Sequence, residues 1–168
     1  MQNNIYLIGF MASGKTTLGR QLAERLDYQF IDLDEEIEKK HELSVSGIFE
    51  KYGESRFRSL ESETLKEVSL RTGCVVATGG GTPCYFSNME QMNRSGVTVY
   101  LQVSVAEIFR RLSGTQRHRP LIHGLQGEEL KKFISGQITK REPFYLQAQF
   151  TVHSDCANTG QILVFLQH

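Results

Sequence analysis

Apolar residues in this chain follow two alternating patterns. Short apolar runs closed by glycine or aspartate are typical of strands buried on both faces of a parallel sheet. The run Ile5-Tyr6-Leu7-Ile8, which ends at Gly9, is the first of them. By this pattern, strands are predicted at residues 5–8, 29–31, 74–77, 97–101 and 150–152.

Between these runs, apolar residues recur every three or four positions, which predicts amphipathic helices. Helices are expected at residues 15–26, 35–42, 44–53, 54–71, 88–94, 105–112, 128–145 and 161–166. Residues 113–127 are rich in Gly, Arg, His and Gln, and we predict a mobile loop there. Strands alternating with helices predict an α/β fold with a parallel sheet, built as a single domain over residues 1–168.

Composition narrows the class of protein. The chain is 39% hydrophobic and 23% charged, as in folded globular proteins, and its 19 basic residues equal its 19 acidic residues. This balance argues against a dedicated nucleic-acid partner. No apolar run approaches the ~20 residues that span a bilayer, and the first residues lack a signal-peptide pattern. The three cysteines are widely spaced, which indicates reduced thiols. We therefore expect a cytoplasmic protein with no membrane partner.

The segment GFMASGKT, residues 9–16, matches the phosphate-loop pattern GxxxxGK[ST]. It lies between a predicted strand and a predicted helix, which is the context that this motif requires. Its backbone amides can surround a polyphosphate, Lys15 can reach the β- and γ-phosphates, and the Thr16 hydroxyl can ligate Mg²⁺. The sequence therefore predicts a nucleoside-triphosphate site.

Two carboxylates, Asp32 and Asp34, follow the second predicted strand. Strand ends face the ligand crevice of an open parallel sheet, so one carboxylate can hold magnesium through water and the other can orient an acceptor hydroxyl. Capping of the next helix by Asp34 is the alternative, and position alone does not decide between them. A GTPase would carry NKxD, which this sequence lacks. We expect Asp34 to be ionised at neutral pH, from an ordinary pKa near ~3.9.

Five elements in this order resemble the shikimate kinases, a family of the P-loop, nucleoside monophosphate kinase-like group. The resemblance runs from the first strand to at least Phe144. The five elements are GFMASGKTT, Asp32-Leu33-Asp34, Phe57-Arg58 with Glu61, Gly79-Gly80-Gly81, and Arg119-Pro120-Leu121 followed by KREPFY at residues 140–145.

The resemblance implies a three-layer P-loop kinase fold with a five-stranded parallel sheet of order 2-3-1-4-5. A lid at about residues 113–127 and a substrate-binding helical region at about residues 33–61 would complete it. The implied reaction is ATP-dependent phosphorylation of the 3-hydroxyl of shikimate, a step towards chorismate and the aromatic amino acids. Mg²⁺ would assist it. Neutral charge and one compact domain favour a monomer.

Site residues are also implied by the resemblance. Shikimate would contact Asp34, Phe57, Arg58, Glu61, Gly79, Gly80, Gly81 and Arg141. ATP would contact Ala12, Ser13, Gly14, Lys15, Thr16, Thr17, Arg111 and Arg119. Lys15, Asp34 and Arg119 would be catalytic, and Thr16 and Asp32 would hold the metal. The chemistry agrees, because a planar guanidinium is the best bidentate partner for a carboxylate such as that of shikimate.

The chain departs from the family pattern at a few positions. Ala12 stands where most members have glycine, so we expect that this loop manages without a positive φ there. Arg117 is a second candidate for the lid contact of Arg119. Arg110 or Arg111 is a candidate for stacking on adenine, and the backbone near residues 157–158 is a candidate for bordering it. A kinase for gluconate or a nucleoside monophosphate, or a non-catalytic ATP-binding protein, remains an alternative.

Overall fold

Strands and helices alternate throughout the computed structural model, which describes residues 3–113, 120–122, 124–153 and 158–166. The strands are β1 (Asn4–Ile8), β2 (Gln29–Asp32), β3 (Cys74–Ala77), β4 (Gly96–Gln102) and β5 (Phe150–His153). The helices are α1 (Lys15–Leu26), α2 (Leu33–His41), α3 (Val45–Val68), α4 (Asn88–Ser95), α5 (Val105–Leu112), α6 (Gly127–Tyr145) and α7 (Thr159–Leu166). Short 3₁₀ turns form at Thr82–Cys84 and Pro120–Ile122.

The five strands form one parallel sheet in the order β2-β3-β1-β4-β5. This confirms the predicted topology. β1 is central, and chain order reverses on its two sides, so a crevice opens beyond its C-terminal end. The phosphate loop begins there, directly after Ile8.

Side chains of β1 alternate between two apolar layers. Tyr6 and Ile8 pack with apolar residues of α2, α3 and α4, whereas Ile5 and Leu7 pack with those of α1 and α7. Both faces of the sheet are therefore covered by helices, which gives the expected three-layer architecture. Because every residue of β1 is buried, the strand appears in the sequence as a continuous apolar run.

α3 consists of two helical segments that meet at Gly53, where φ is 79° and ψ is 171°. The sequence predicted two helices ending and starting at this glycine, because its backbone adopts positive φ at little cost. The second segment ends at Val68, three residues earlier than predicted. The chain tightens there into 3₁₀-type bonds from Leu70 N to Glu67 O and from Arg71 N to Val68 O.

Part of the predicted mobile loop at 113–127 is anchored to the core. The turn Pro120–Ile122 places Ile122, which is fully buried, in a third apolar cluster beside Phe10 and side chains of α5 and α6. α6 then begins at Gly127, one residue before the predicted start. Residues 114–119 and 123 lie outside the described residues, and with them the predicted lid arginines Arg117 and Arg119.

The sequence predicted reduced cysteines and no membrane-spanning segment. Cys74 and Cys84 are free thiols, and Cys156 lies outside the described residues. No helix in the described part of the chain combines the length and the apolar content that crossing a bilayer requires.

Candidate active site

The phosphate loop connects β1 to α1 and carries Lys15 folded over its own backbone. The Lys15 ammonium donates to Gly9 O at 2.9 Å, to Phe10 O at 2.8 Å and to Ser13 Oγ at 3.4 Å. Gly14 occupies the N-cap position of α1, so no side chain caps the first amides of this helix. A helix start with uncapped N–H groups favours a bound anion.

Ala12 adopts a left-handed backbone with φ of 60°. The expectation that this loop manages without a positive φ is therefore wrong. Left-handed geometry brings Cβ close to the following carbonyl and costs a residue other than glycine about 1–2 kcal/mol. The conformation is held by Arg111 of α5, whose Nη1 donates to Ala12 O at 2.9 Å.

Arg111 and Arg110 share a carboxylate on their own helix. Glu107 Oε1 accepts from Arg111 Nε at 2.6 Å, and both Glu107 oxygens accept from Arg110 at 2.7 Å. Hydrogen bonds from Arg110 and then Arg111 lower the pKa of Glu107 to about 2. Arg111 lines the cleft described below, whereas the Arg110 side chain is 73% exposed. The contact of Arg111 is with the phosphate loop, and whether it also stacks on adenine stays a prediction.

Arg111→Gln is expected to raise KM for ATP about tenfold, because Ala12 O loses the donor that holds the loop in its left-handed conformation. KM for the second substrate should change little. Arg110→Gln is the matched control, since it removes the neighbouring arginine from the same carboxylate. Steady-state kinetics with each substrate varied in turn measures both. Equal effects of the two variants would contradict a role for the Ala12 contact.

Asp32 joins the phosphate loop to the start of α2. Its Oδ2 accepts from Thr16 Oγ1 at 2.9 Å, and its Oδ1 accepts from the backbone N–H of Asp34 at 3.1 Å. The helix cap is therefore Asp32, and the capping alternative considered for Asp34 is wrong. No group of three His, Cys, Asp or Glu side chains suited to a metal occurs in the described part of the chain. A cation at Thr16 and Asp32 would complete its shell with phosphate and water oxygens, as Mg²⁺ commonly does.

Asp34 lies in the first turn of α2 and faces the cleft. Its Oδ1 is buried and accepts no hydrogen bond from the described residues. Burial, followed by repulsion from Glu61 and Asp32, raises the pKa of Asp34 to about 7, against the attraction of Lys15. The expectation of full ionisation at neutral pH is therefore wrong for the unliganded protein, because a desolvated carboxyl beside other carboxylates holds its proton more tightly.

Arg58 of α3 is buried between carboxylates one helical turn away on either side. Nη1 donates to Glu61 Oε2 at 2.7 Å, while Nε and Nη2 donate to Glu54 Oε1 at 3.2 and 2.9 Å. The guanidinium also lies 4.6 Å from the ring centre of Tyr85. Burial opposes the charge, but the two carboxylates outweigh it and raise the pKa of Arg58. Glu61, 1% exposed, also accepts from Thr82 Oγ1 at 2.5 Å.

The three glycines after β3 form the floor under these side chains. A Cβ at Gly79 would lie 2.5 Å from Glu61 Oε1 and 3.1 Å from Asp34 Oδ1. A Cβ at Gly81 would lie 2.5 Å from Arg58 Nη1. Real Cβ atoms do not approach other atoms this closely, so a side chain at either position would displace these groups. The sequence indicated close approach of a ligand here, and the structure adds close approach of the site's own side chains.

Arg141 and Tyr145 project from the same face of α6. Tyr145 donates to Gly80 O at 2.5 Å, and the Arg141 guanidinium lies 5.5 Å from the ring centre of Phe10. A Cβ at Gly80 would lie 3.4 Å from Arg141 Nη1. Arg141 forms no ion pair with a carboxylate among the described residues. It is therefore able to pair with an anion that enters the cleft.

The phosphate loop, the three glycines, Asp32, Asp34, Arg58, Glu61, Arg111 and Arg141 line one cleft of about 1120 Å³. The residues that the resemblance assigns to shikimate, ATP or metal all line it, except Arg119, which lies outside the described residues. Of the further candidates, Arg110 and Asn158 do not line it, and Arg117 and Ala157 lie outside the described residues. Residues that were not predicted as site residues also line it, namely Met11, Leu18, Gln21, Glu38, Ser44, Val45, Ser46, Phe49, Thr78 and Leu121, of which Met11 and Leu121 stand in the quoted elements. Glu54 and Tyr145 were missed too, although spacing marks them: Glu54 precedes Arg58 by four residues, and Tyr145 follows Arg141 by four.

Comparison with known proteins decides the family. The family model described as shikimate kinase matches residues 11–166. A shikimate kinase of Parabacteroides distasonis is 46% identical over 151 residues, covering 90% of this chain and 87% of that protein. The chain belongs to the shikimate kinase family. The resemblance stated from the five sequence elements is thereby confirmed.

Solved structures of shikimate kinases share the whole fold. The crystal structure of shikimate kinase from Bacteroides thetaiotaomicron superimposes with a TM-score of 0.93 at 40% identity, covering 99% of each chain. Shikimate kinase from Acinetobacter baumannii, solved in complex with shikimate, gives a TM-score of 0.91 at 36% identity, covering 99% of this chain and 94% of that one.

Proposed function

We propose that this member of the shikimate kinase family transfers the γ-phosphoryl group of ATP to the 3-hydroxyl group of shikimate. The observation that carries this proposal is the shared cleft, in which the phosphate loop lies opposite Asp34, Arg58 and Arg141. A phosphate donor and a carboxylated polyol can meet there. Membership of the family supports the choice of shikimate over gluconate or a nucleoside monophosphate.

On the donor side, we assign the phosphates to the start of α1 and to Lys15. The uncapped amides of α1 and the loop backbone at residues 12–17 would bind the phosphate oxygens. Lys15 exchanges bonds to loop carbonyls for bonds to the β- and γ-phosphates, where its charge offsets the negative charge that spreads over the transferring group. Arg119, outside the described residues, is proposed to supply a second cation from the lid.

On the acceptor side, we assign the carboxylate of shikimate to Arg141 and Arg58. Arg141 forms no ion pair with a described carboxylate, and Arg58 is held in a fixed position by Glu61. Asp34 would accept a hydrogen bond from the 3-hydroxyl and take its proton during transfer. Gly79, Gly80 and Gly81, with Phe57, would form the wall beside the ring, because the absence of side chains lets a ligand approach the backbone.

Mg²⁺ is proposed at Thr16 and Asp32, whose oxygens already lie 2.9 Å apart. When bound, such an ion neutralises phosphate charge and orients the γ-phosphoryl group. Asp32 can serve it without leaving α2, since its other oxygen caps that helix. Removal of divalent cations with a chelator should therefore stop turnover while leaving the helix cap intact.

ADP release from Mg·ATP, with shikimate, gluconate, AMP and CMP offered in parallel, tests the proposal. Release with shikimate alone is expected. Release with another acceptor would retain the phosphate-loop assignment and overturn that of the acceptor site. ATP binding without release for any acceptor would favour a non-catalytic ATP-binding protein.

We also propose that the protein acts as a monomer in the cytoplasm. The balance of 19 basic and 19 acidic residues and the single five-stranded sheet, covered by helices on both faces, support this assignment. Light scattering during size-exclusion chromatography should give a mass close to 19.1 kDa.

A further inference from the structure

The guanidinium assigned to the substrate carboxylate already has two carboxylate partners. Glu61 takes one hydrogen on Arg58 Nη1, and Glu54 Oε1 takes the Nε/Nη2 edge. An incoming carboxylate is then left with the remaining hydrogens on Nη1 and Nη2. Two carboxylates therefore already share the positive charge of Arg58 before an acceptor binds.

The two glutamates differ in what they contribute to the position of Arg58. Glu61 is buried and bonded to Thr82, so it is a fixed anchor within the core. The Glu54 side chain is 48% exposed and follows directly after the Gly53 bend. The ring of Tyr85 packs on the guanidinium at 4.6 Å and gives further support. Arg58 is therefore held without Glu54, whose charge remains as a half-exposed carboxylate beside the anion site.

We propose that Glu54 is a specificity-determining residue that competes with the carboxylate of the acceptor for Arg58 and weakens the binding of anionic acceptors. This inference rests on the proposed function, because it takes Arg58 as part of the shikimate site. The contact is adjustable, since Tyr85 OH also donates to Glu54 Oε1 at 3.3 Å. Glu54 can release the Nε/Nη2 edge of Arg58 and keep Tyr85 as its hydrogen-bond partner.

Competition for Arg58 depends on the charge of Glu54 and on the charge of the acceptor. A purely structural role of Glu54 would not depend on the charge of the acceptor. Glu54→Gln keeps the size and hydrogen-bonding ability of the side chain and removes its charge. Its Kd for shikimate should fall about fivefold, the order expected for a partly exposed ion pair. Its Kd for the uncharged methyl ester of shikimate should not change. Glu54→Asp keeps the charge and should remain within about twofold of the original protein for both ligands.

Isothermal titration without ATP gives the dissociation constants of each protein for both ligands. Steady-state kinetics should show KM for shikimate falling with Kd while KM for ATP is constant. Glu63→Gln is the matched control, since Glu63 pairs with exposed Arg56 on the same helix at 3.0 Å. Weaker or unchanged binding of shikimate by Glu54→Gln, or an equal change for the methyl ester, would overturn the competition. Absence of shikimate binding by the original protein would instead overturn the proposed function, and the inference with it.

Discussion

Replacement of Asp34 by asparagine is expected to slow turnover by orders of magnitude and, at pH 8, to stabilise the unliganded protein. Asparagine has nearly the same shape, but it cannot take the proton of the acceptor hydroxyl. Loss of a positioned base typically costs 10²–10⁴-fold, and we expect a decrease of about that size in kcat. Binding of ATP should be retained, because Lys15 and the amides of α1 are untouched.

The gain in stability follows from the environment of the carboxyl group. Asp34 Oδ1 is buried without a described partner, and its negative charge is repelled by Glu61 and Asp32. Ionisation is therefore costly in the folded state and easy in the unfolded state. An uncharged side chain removes that cost, which we expect to be worth about 1–3 kcal/mol in the free energy of unfolding.

The sign of the pH dependence can be worked out. The folded-state pKa of Asp34, about 7, exceeds the ordinary value of 3.8, so the folded protein binds this proton more tightly. The resulting stabilisation is complete below pH ~4 and is lost as the pH rises through ~7. The advantage of Asp34→Asn should therefore grow over that interval and level off above it.

Denaturant unfolding of both proteins from pH 4 to pH 8 measures this difference. Asp27→Asn is the control, because Asp27 is an exposed carboxylate just after α1, and its replacement should have no comparable effect. A stability difference that is independent of pH, or that favours the original protein at pH 8, would show that Asp34 is not a strained carboxyl.

Replacement of Lys15 by methionine should also stop the reaction, but with the opposite effect on stability. The ammonium that offsets charge on the transferring phosphoryl group would be gone, and kcat/KM for ATP should fall by about 10²–10³-fold. In the unliganded protein the same group bonds Gly9 O and Phe10 O. Methionine leaves these buried acceptors without their donor, at a cost of about 1–3 kcal/mol.

Lys39→Met, on the exposed face of α2, is the control for the loss of a lysine. Lys15→Arg tests whether a positive charge at this position is sufficient for activity. Thermal unfolding without ligands and kinetics with ATP varied give the two readouts. Full activity of Lys15→Met would eliminate its role at the phosphates. Unchanged stability of that variant would show that the loop holds its shape without the ammonium.

These opposite stability effects illustrate what the sequence can and cannot predict. The fold was predictable because β1 and β3 are continuous apolar runs and because glycine, Lys15 and Thr16 have a fixed spacing in a phosphate loop. The pKa of Asp34 was not, since it depends on burial and on Glu61, which approaches only once α3 packs beside the glycine floor. The distance between Glu61 and Asp34 depends on this packing and cannot be predicted from a local sequence motif.

The geometry of the phosphate loop shows a second limit. Ala12 reads as evidence against a left-handed backbone, yet the residue adopts it with φ of 60°. The contact that supports it comes from Arg111, 99 positions later in the chain. By contrast, the sequence contains a signal for both partners of Arg58, although Glu54 was missed. Glu54 and Glu61 stand four residues before Arg58 and three after it on one helix.

The most direct measurement is the identity of the product. The original protein, Mg·ATP and shikimate are incubated together, and the phosphorus of the product is correlated with the ring protons by NMR. We expect one new phosphoester, coupled to the proton at C3, and at least a hundredfold less of it in the same time with Asp34→Asn. Inorganic phosphate instead of a phosphoester, or an ester at another hydroxyl group, would contradict the orientation of shikimate by Asp34, Arg58 and Arg141.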